Sequence, residues 1–261
     1  MKRYPAQDLE PAVRDPKKLR RTAFILIGIM LVGAVFILIA YNRDAARRAE
    51  DTRPAITGRL NKNFKVWRQD ETEAGLLDLR GDVFVIVPVV FSQPDSWDTT
   101  REVLLELEKR YESRDDLHIV CVTQDPENEP PEVLAEEAKK LGADLPKWWL
   151  AGSREESVHK FFKNVLKANI MAHRKDGGMV YDPSLVVIDR DRHIRQPTVR
   201  ARKASGKELN YRNRVTFDFE GAAEWDEKGR SEGLEKSNVE TMKDLLFTTI
   251  DELLAQPVTA D

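Results

Sequence analysis

Cysteine is almost absent from this sequence, since Cys121 is the one cysteine among 261 residues. A single thiol excludes an intramolecular disulfide framework, a CxxC redox pair and a zinc ribbon built on thiolates. Histidine is also scarce, and the four histidines are too far apart along the chain for the HExxH motif of zinc proteases. The sequence therefore contains no motif for disulfide exchange or for the common zinc sites.

The chain also lacks a strong charge of either sign. It has 42 Lys and Arg residues against 45 Asp and Glu residues, a net charge of −3, and no basic stripe of the kind that binds a nucleic-acid backbone. Hydrophobic residues make up 41% of the chain, which is enough to bury a core and argues against global disorder. We therefore expect a folded protein without a nucleic-acid partner.

Charged residues are missing altogether from residues 22–41, which read TAFILIGIMLVGAVFILIAY. A helix of this length spans about 30 Å, the thickness of a bilayer core. Signal peptides have a shorter apolar region of about 7–15 residues that ends at small residues, whereas this run is followed by Asn42, Arg43 and Asp44. The pattern predicts an uncleaved transmembrane helix.

Basic residues are divided unevenly between the two flanks of this helix. Residues 1–21 contain seven Lys and Arg residues, whereas the segment just after the helix contains four, the last of them Arg53. The more basic flank stays in the cytoplasm. We therefore expect a single-pass protein of the inner or cytoplasmic membrane, with residues 1–21 in the cytoplasm and the remainder in the periplasm, or in the intermembrane space of a mitochondrion.

The segment after the helix, residues 42–63, is polar and charged, which predicts a tether before a folded domain at residues 64–256. Within that domain, three apolar runs predict buried strands, at residues 83–91, 117–123 and 183–189. Amphipathic stretches that follow these runs predict helices, and strands alternating with helices indicate an α/β fold.

One charged stretch, residues 195–237, interrupts the alternation of strands and helices. It is interpreted as an insertion before the last helix. Alternating apolar residues at 215, 217 and 219 favour a hairpin formed by residues 199–202 and 214–219.

Four segments resemble, in order, parts of the Sco/SenC family. Residues 78–100, which read DLRGDVFVIVPVVFSQPDSWDTT, resemble the strand, motif and helix start of that family. Residues 119–144 resemble its next strand and its V-D-P-x-x-D-T-P-x-x-L helix start, residues 147–161 its W-x-x-L-T-G segment, and residues 183–195 its late strand. The resemblance implies a thioredoxin-like α/β fold on one N-terminal membrane anchor, in a family that binds copper and helps to assemble cytochrome c oxidase.

The chain departs from this family at the copper ligands. The family carries C-P-x-x-x-C-P and a downstream His, and the corresponding positions here are Gln93, Trp97 and Tyr181, or Pro183 in place of Tyr181 if the alignment has a gap. An amide oxygen is a weak copper ligand, and the indole N–H has no lone pair for a metal. The resemblance therefore implies a relative that is not an enzyme and holds no cofactor, and that contacts cytochrome c oxidase subunits or assembly factors.

Two other functions remain open at this point. Met171, His173 and Met179 lie in the loop before the late strand, and thioether and imidazole groups are suitable ligands for Cu(I), so a copper-binding module is one alternative. A thiol–disulfide oxidoreductase is less favoured, because Cys121 is alone and lies in an apolar run typical of a buried core cysteine. Trp97 is expected either to anchor a partner from an exposed turn or to pack against the insertion.

Overall fold

The computed structural model of the chain describes residues 15–50, 54–196, 216–229 and 236–256, which divide into two compact units with a boundary after Thr52. The first unit contains one long helix, α1 (Pro16–Glu50). Its portion Pro16–Arg43 includes a window with a mean hydropathy of 3.0, none of it buried, and is long and apolar enough to cross a membrane. Membrane anchors and signal sequences share these properties.

The second unit is built on a mixed sheet of eight strands in the order β1-β10-β9-β4-β5-β6-β2-β3, beside a separate two-stranded hairpin, β7–β8. The strands are β1 (Ala55–Arg59), β2 (Lys65–Arg68), β3 (Glu73–Gly75), β4 (Val83–Val89), β5 (Leu117–Thr123), β6 (Trp148–Gly152), β7 (His173–Lys175), β8 (Gly178–Val180), β9 (Val186–Ile188) and β10 (His193–Gln196). The central strands β4, β5 and β6 are parallel, and the strands on either side of them are antiparallel.

Helices cover both faces of this sheet. They are α2 (Asp98–Arg110), α3 (Pro131–Leu141), α4 (Glu155–Asn164), α5 (Phe219–Glu227) and α6 (Asn238–Leu254). The order β4-α2-β5, followed by the antiparallel β9–β10 pair beside β4 and the closing helix α6, is a thioredoxin-like arrangement. The expected α/β, thioredoxin-like fold class is therefore confirmed.

Two apolar cores lie on opposite faces of the sheet because successive side chains of a strand alternate between its faces. Val85 belongs to the apolar cluster that includes residues of α2, α3, α5 and α6, whereas Ile86 belongs to the cluster that includes residues of α4. Val120 pairs with Ile86 across the parallel ladder, and all three side chains are fully buried. Continuous apolar runs thus form strands that are covered on both faces, as the sequence indicates.

The folded unit begins earlier than the sequence indicated. Within the predicted tether of residues 42–63, α1 continues to Glu50, β1 pairs with β10, and Leu60 is buried in the core. The prediction of a tether is wrong over β1 because this edge strand has mostly exposed side chains and therefore lacks the apolar run by which a strand is recognised in a sequence.

The insertion is only partly within the described residues. Residues 197–215 and 230–235 lie outside them, and so does the first strand of the predicted hairpin. Phe217 instead exchanges two backbone hydrogen bonds with Leu185, at 2.7 and 2.9 Å. The chain then turns into α5 at Phe219 because Asp218 caps that helix, accepting a hydrogen bond from the Gly221 N–H at 2.9 Å. The expected strand at residues 214–219 is therefore wrong from Phe219 onward.

Candidate functional site

The candidate site is the turn that follows β4 at the carboxyl edge of the parallel strands, where open α/β proteins place their ligands. A 3-10 turn (Pro94–Trp97) leads from β4 into α2. Glu129 supports the turn with a side chain that is 1% exposed, accepting hydrogen bonds from the Ser92 N–H at 2.8 Å and from the Thr123 hydroxyl. These bonds join the ends of β4 and β5, next to the positions where the resembled family has its cysteines.

Gln93, which the sequence resemblance aligns with the family's first cysteine, binds the backbone of another segment. Its Oε1 accepts the N–H of Met179 at 2.6 Å, and its Nε2 donates to the Met179 carbonyl at 3.2 Å. The side chain thus pairs with both backbone groups of one residue, much as a neighbouring strand would. Gly178 permits this approach, because a Cβ at that position would lie 3.3 Å from Gln93 Oε1. The Gln93 amide therefore ties the β7–β8 hairpin to the turn.

Tyr181, which the sequence resemblance aligns with the family histidine, lies beside the same turn. Its phenol oxygen is 2.6 Å from Ser96 Oγ. Ser96 Oγ donates to the Gln93 carbonyl at 2.7 Å, so the Tyr181 hydroxyl is the donor to Ser96. Burial raises the pKa of Tyr181, because the phenolate would lose its hydration. The structure thus brings positions 93 and 181 together and joins them through a chain of neutral hydrogen bonds.

Trp97, which the sequence resemblance aligns with the family's second cysteine, points into the core. It is 2% exposed and meets Phe91 edge to face, with ring centroids 5.7 Å apart. It belongs to the same apolar cluster as Phe217 and Phe219, which lie within the stretch 195–237 that was interpreted as an insertion. The expectation of an exposed contact residue is therefore wrong, and the alternative of packing against this part of the chain is what the structure contains. An indole ring is large and apolar, so burying its surface in the core is more favourable than leaving it exposed to water on the turn.

Arg174 fastens the β7–β8 hairpin from its other strand. Its guanidinium donates to both carboxylate oxygens of Asp125, at 2.7 and 3.2 Å, and also lies 3.4 Å from Glu127 and 3.3 Å from Glu155. Burial alone would raise the pKa of Asp125, but hydrogen bonds from Arg174 and Asn128 outweigh burial and lower it. A bidentate ion pair of this kind fixes the orientation of both groups.

The three residues of the Met/His alternative do not converge. Met179 is buried with Val90 and Tyr181, whereas Met171 and His173 are exposed. The hairpin register pairs His173 with Val180, and successive residues of a strand point to opposite faces, so Met179 lies on the face opposite to His173. Among the described residues, no group of three or more His, Cys, Asp or Glu side chains is placed to hold a metal ion.

Cys121 lies within β5, away from the turn. Its side chain is fully buried, and the Trp148 indole N–H donates to its sulfur at 3.4 Å. Burial raises the pKa of the Cys121 thiol to about 12, so the thiol is protonated and unreactive at neutral pH. This environment agrees with the expected core role of Cys121.

Of three comparisons with known proteins, only the comparison with solved structures finds proteins similar to this chain. No family model matches the chain, and no curated protein matches it. Similar solved structures include a SCO1/SenC family lipoprotein from Bacillus anthracis, with 19% identity, 74% of this chain and 98% of the other covered, and a TM-score of 0.45. ScoI from Arabidopsis thaliana with copper bound has 13% identity, coverage of 73% and 98%, and a TM-score of 0.48.

A putative electron transfer protein from Aquifex aeolicus is also similar, with 14% identity, 54% of this chain and 82% of the other covered, and a TM-score of 0.48. The chain is thus similar to solved structures that include members of the Sco/SenC family.

Several residues that build the site were not recognised in the sequence. Glu129, Asp125 and Arg174 hold the turn and the hairpin together, yet each belongs to a charged residue type that is usually solvated. Their partners are up to 49 positions away along the chain. The sequence offers one signal for Glu129 and Asp125: both lie in the segment directly after a buried strand, which places them at this edge of the sheet.

Proposed function

We propose that this chain is a membrane-anchored, Sco/SenC-like accessory protein that takes part in assembling cytochrome c oxidase through contacts with other proteins. It performs neither copper binding nor thiol chemistry at the turn after β4. The anchor is residues 22–41, with the N-terminus in the cytoplasm and the thioredoxin-like unit in the periplasm or the intermembrane space.

One observation carries the proposal: the three residues that the resemblance aligns with the family's copper ligands are used for internal structure. Gln93 is bonded to the Met179 backbone, Tyr181 to Ser96, and Trp97 is packed in the core. Side chains committed to hydrogen bonds and packing cannot bind a metal without breaking those contacts, and none of the three contains the sulfur that disulfide exchange requires. The scaffold around the site is nevertheless complete, which favours a role in binding other proteins.

Deletion of the gene in the organism that carries it tests this function. We expect less assembled cytochrome c oxidase, measured by the haem absorption of membranes and by the rate of cytochrome c oxidation, and recovery when the wild-type gene is restored. Cys121→Ala removes the only thiol and is expected to restore oxidase equally well. An unchanged amount of oxidase in the deletion strain would reject the assembly role. If Cys121→Ala, present at the normal protein level, did not restore the oxidase, the thiol would be needed for function.

The orientation is tested with single-cysteine variants in the Cys121→Ala background. Glu112 is exposed in the thioredoxin-like unit, so Glu112→Cys is expected to react with a membrane-impermeant maleimide in intact spheroplasts. Lys2→Cys is expected to react only after the membrane is permeabilised. The opposite pattern would reverse the proposed topology.

A further inference from the structure

The first turns of α1 carry four exposed basic side chains directly before the uncharged residues 22–41. Asp15, the acidic residue nearest to them, accepts hydrogen bonds from the backbone N–H groups of Lys17 and Lys18, at 2.9 and 3.4 Å. Its carboxylate therefore caps the helix. The next acidic residue along the chain is Asp44, beyond the apolar span. The four basic residues are Lys17, Lys18, Arg20 and Arg21.

These four side chains lie on one face of the helix. At about 100° per residue, positions 17, 18, 20 and 21 fall within an arc of roughly 160°, and we call this surface the basic face. Leu19, which is 63% exposed, lies on the opposite side. Residues three or four positions apart on a helix are neighbours, and like charges at that spacing repel. The basic face is therefore stabilised by any anion that binds between its side chains.

The helices of the second unit treat their basic residues differently, because several of these residues have a carboxylate partner three or four positions away. Such pairs join Arg101 to Asp98, Lys140 to Glu137, Lys160 to Glu156 and Lys228 to Glu224. None of the basic side chains of α1 forms an ion pair with another of the described residues. The described part of this chain therefore supplies no negative charge to the basic face.

The apolar span fixes the level at which the basic face meets a membrane. The span is about as long as a bilayer core is thick, and its mean hydropathy reaches 3.0. The residues that directly precede it therefore lie at the level of the lipid headgroups. The anions found at that level are the phosphates of lipids, which guanidinium groups bind with paired hydrogen bonds and ammonium groups bind as point charges.

We propose that the basic face of α1 binds the headgroups of anionic phospholipids at the membrane surface where the helix begins. This inference rests on the membrane anchor of the proposed function, because the face reaches headgroups only if residues 22–41 span the bilayer. It adds a lipid partner to the protein contacts proposed above, and the lipid is selected by the charge of the face.

Quenching by spin-labelled lipids tests the basic face with the full chain in vesicles of phosphatidylcholine and phosphatidylglycerol. Phe24→Cys and Leu26→Cys, each with Cys121→Ala, carry a bimane fluorophore at exposed positions of the span. Around the helix axis, position 24 lies about 20° from Lys17 and position 26 about 180° from it. We expect phosphatidylglycerol to bind about fivefold more tightly than phosphatidylcholine at position 24, and about equally at position 26.

The charge requirement is tested with the same label at position 24. Neutralisation of the whole basic face by Lys17→Gln, Lys18→Gln, Arg20→Gln and Arg21→Gln is expected to bring the ratio of binding constants to about one. Lys17→Arg with Lys18→Arg keeps the charge and is expected to keep the ratio. Lys109→Gln with Lys139→Gln removes two exposed cations from α2 and α3 and is also expected to leave the ratio unchanged.

Four results would each overturn the proposal. They are equal binding of the two lipids at position 24, equal ratios at positions 24 and 26, a ratio that survives neutralisation of the basic face, and loss of the preference when inorganic phosphate replaces chloride at constant ionic strength. The last result would mean that the face binds free phosphate. Equal binding of the two lipids at position 24 would leave an acidic segment of another protein as the source of the negative charge.

The lipid surface and the proposed function fail in different ways. Extraction of host membranes with alkaline carbonate is expected to leave the chain in the membrane. If carbonate releases the chain, the anchor of the proposed function is wrong, and the lipid surface is wrong with it. If the chain stays in the membrane but shows no lipid preference, only the lipid surface is wrong. If the preference is found while gene deletion leaves the oxidase unchanged, the lipid surface stands and the assembly role is wrong.

Discussion

Replacement of Trp97 separates a structural role of the turn from a role in contacts. The side chain is 2% exposed and lies edge to face with Phe91. Its indole Nε1 is buried and has no hydrogen-bond partner among the described residues. Trp97→Ala removes the packing of the ring, whereas Trp97→Phe keeps an aromatic ring and removes only the unpaired N–H and part of the volume.

The expected size of the effect follows from burial. A buried Trp side chain removes about 200–250 Å² from water, which at about 25 cal/mol per Å² stabilises the fold by ~5–6 kcal/mol as an upper bound. The unpaired Nε1 offsets about 1–3 kcal/mol of this. We therefore expect Trp97→Ala to lower the free energy of unfolding by about 3–4 kcal/mol, within the range measured for buried aromatic side chains. Trp97→Phe should cost about 1 kcal/mol or less.

Urea unfolding of the unit from Arg53 onward, followed by circular dichroism, measures both variants against the wild type. A loss below about 1 kcal/mol for Trp97→Ala would refute the packing described above, since a buried ring cannot be removed so cheaply. A loss for Trp97→Phe as large as that for Trp97→Ala would show that the ring contact with Phe91 is not what stabilises the turn.

Three further predictions follow from the site and the core. Gln93→Glu replaces the donor to the Met179 carbonyl with a carboxylate oxygen, so it should lower stability by about 1–3 kcal/mol, seen as a lower urea midpoint. Hydrogen bonds from Arg114 and Arg190 hold the pKa of Asp116 at about 2, below its ordinary 3.8, so its stabilisation is present above pH ~4 and is lost as the pH falls towards 2. Asp116→Asn should therefore flatten that acid limb of the stability curve. Cys121 should not react with a thiol reagent until the protein unfolds, because burial raises its pKa to about 12.

Each of these predictions has a contrary outcome. Stability of Gln93→Glu equal to that of the wild type would mean that the amide does not hold the hairpin. If Asp116→Asn lost stability below pH ~4 as steeply as the wild type, carboxylates other than Asp116 would be responsible for the loss of stability in acid. Reaction of Cys121 in native protein at the rate of an unfolded control would contradict its burial in β5.

Elements whose stability is local or fully buried could be predicted from the sequence. The runs that form β4 and β5 are apolar without interruption, so the expected strands and their burial are observed. Helix α3 begins at Pro131, and Gly142 caps its end at Leu141 in a left-handed conformation with φ of +68°. Both signals are visible in the sequence. Helix α6 likewise follows a capping box at Ser237 and Glu240.

Edge elements were missed because their side chains carry no apolar pattern. Strand β1 is mostly exposed, and the β7–β8 hairpin has one buried residue among the six in its strands, Met179. Pairing with a neighbouring strand, rather than burial, defines such elements. Their partners, β10 for β1 and the Gln93 side chain for β8, are far away along the chain.

The amino-acid sequence by itself determined the long apolar segment near the N-terminus, the α/β alternation and the presence of a single thiol, because each depends on which residue types are present and in what order. The direction of individual side chains was decided by the tertiary structure alone. Trp97 was compatible with an exposed anchor or a core residue until Phe91 was seen to lie against it. Met179 and His173 were candidates for one metal site until the hairpin register put them on opposite faces. These outcomes depend on contacts between segments distant in sequence, and no local pattern encodes which of them form.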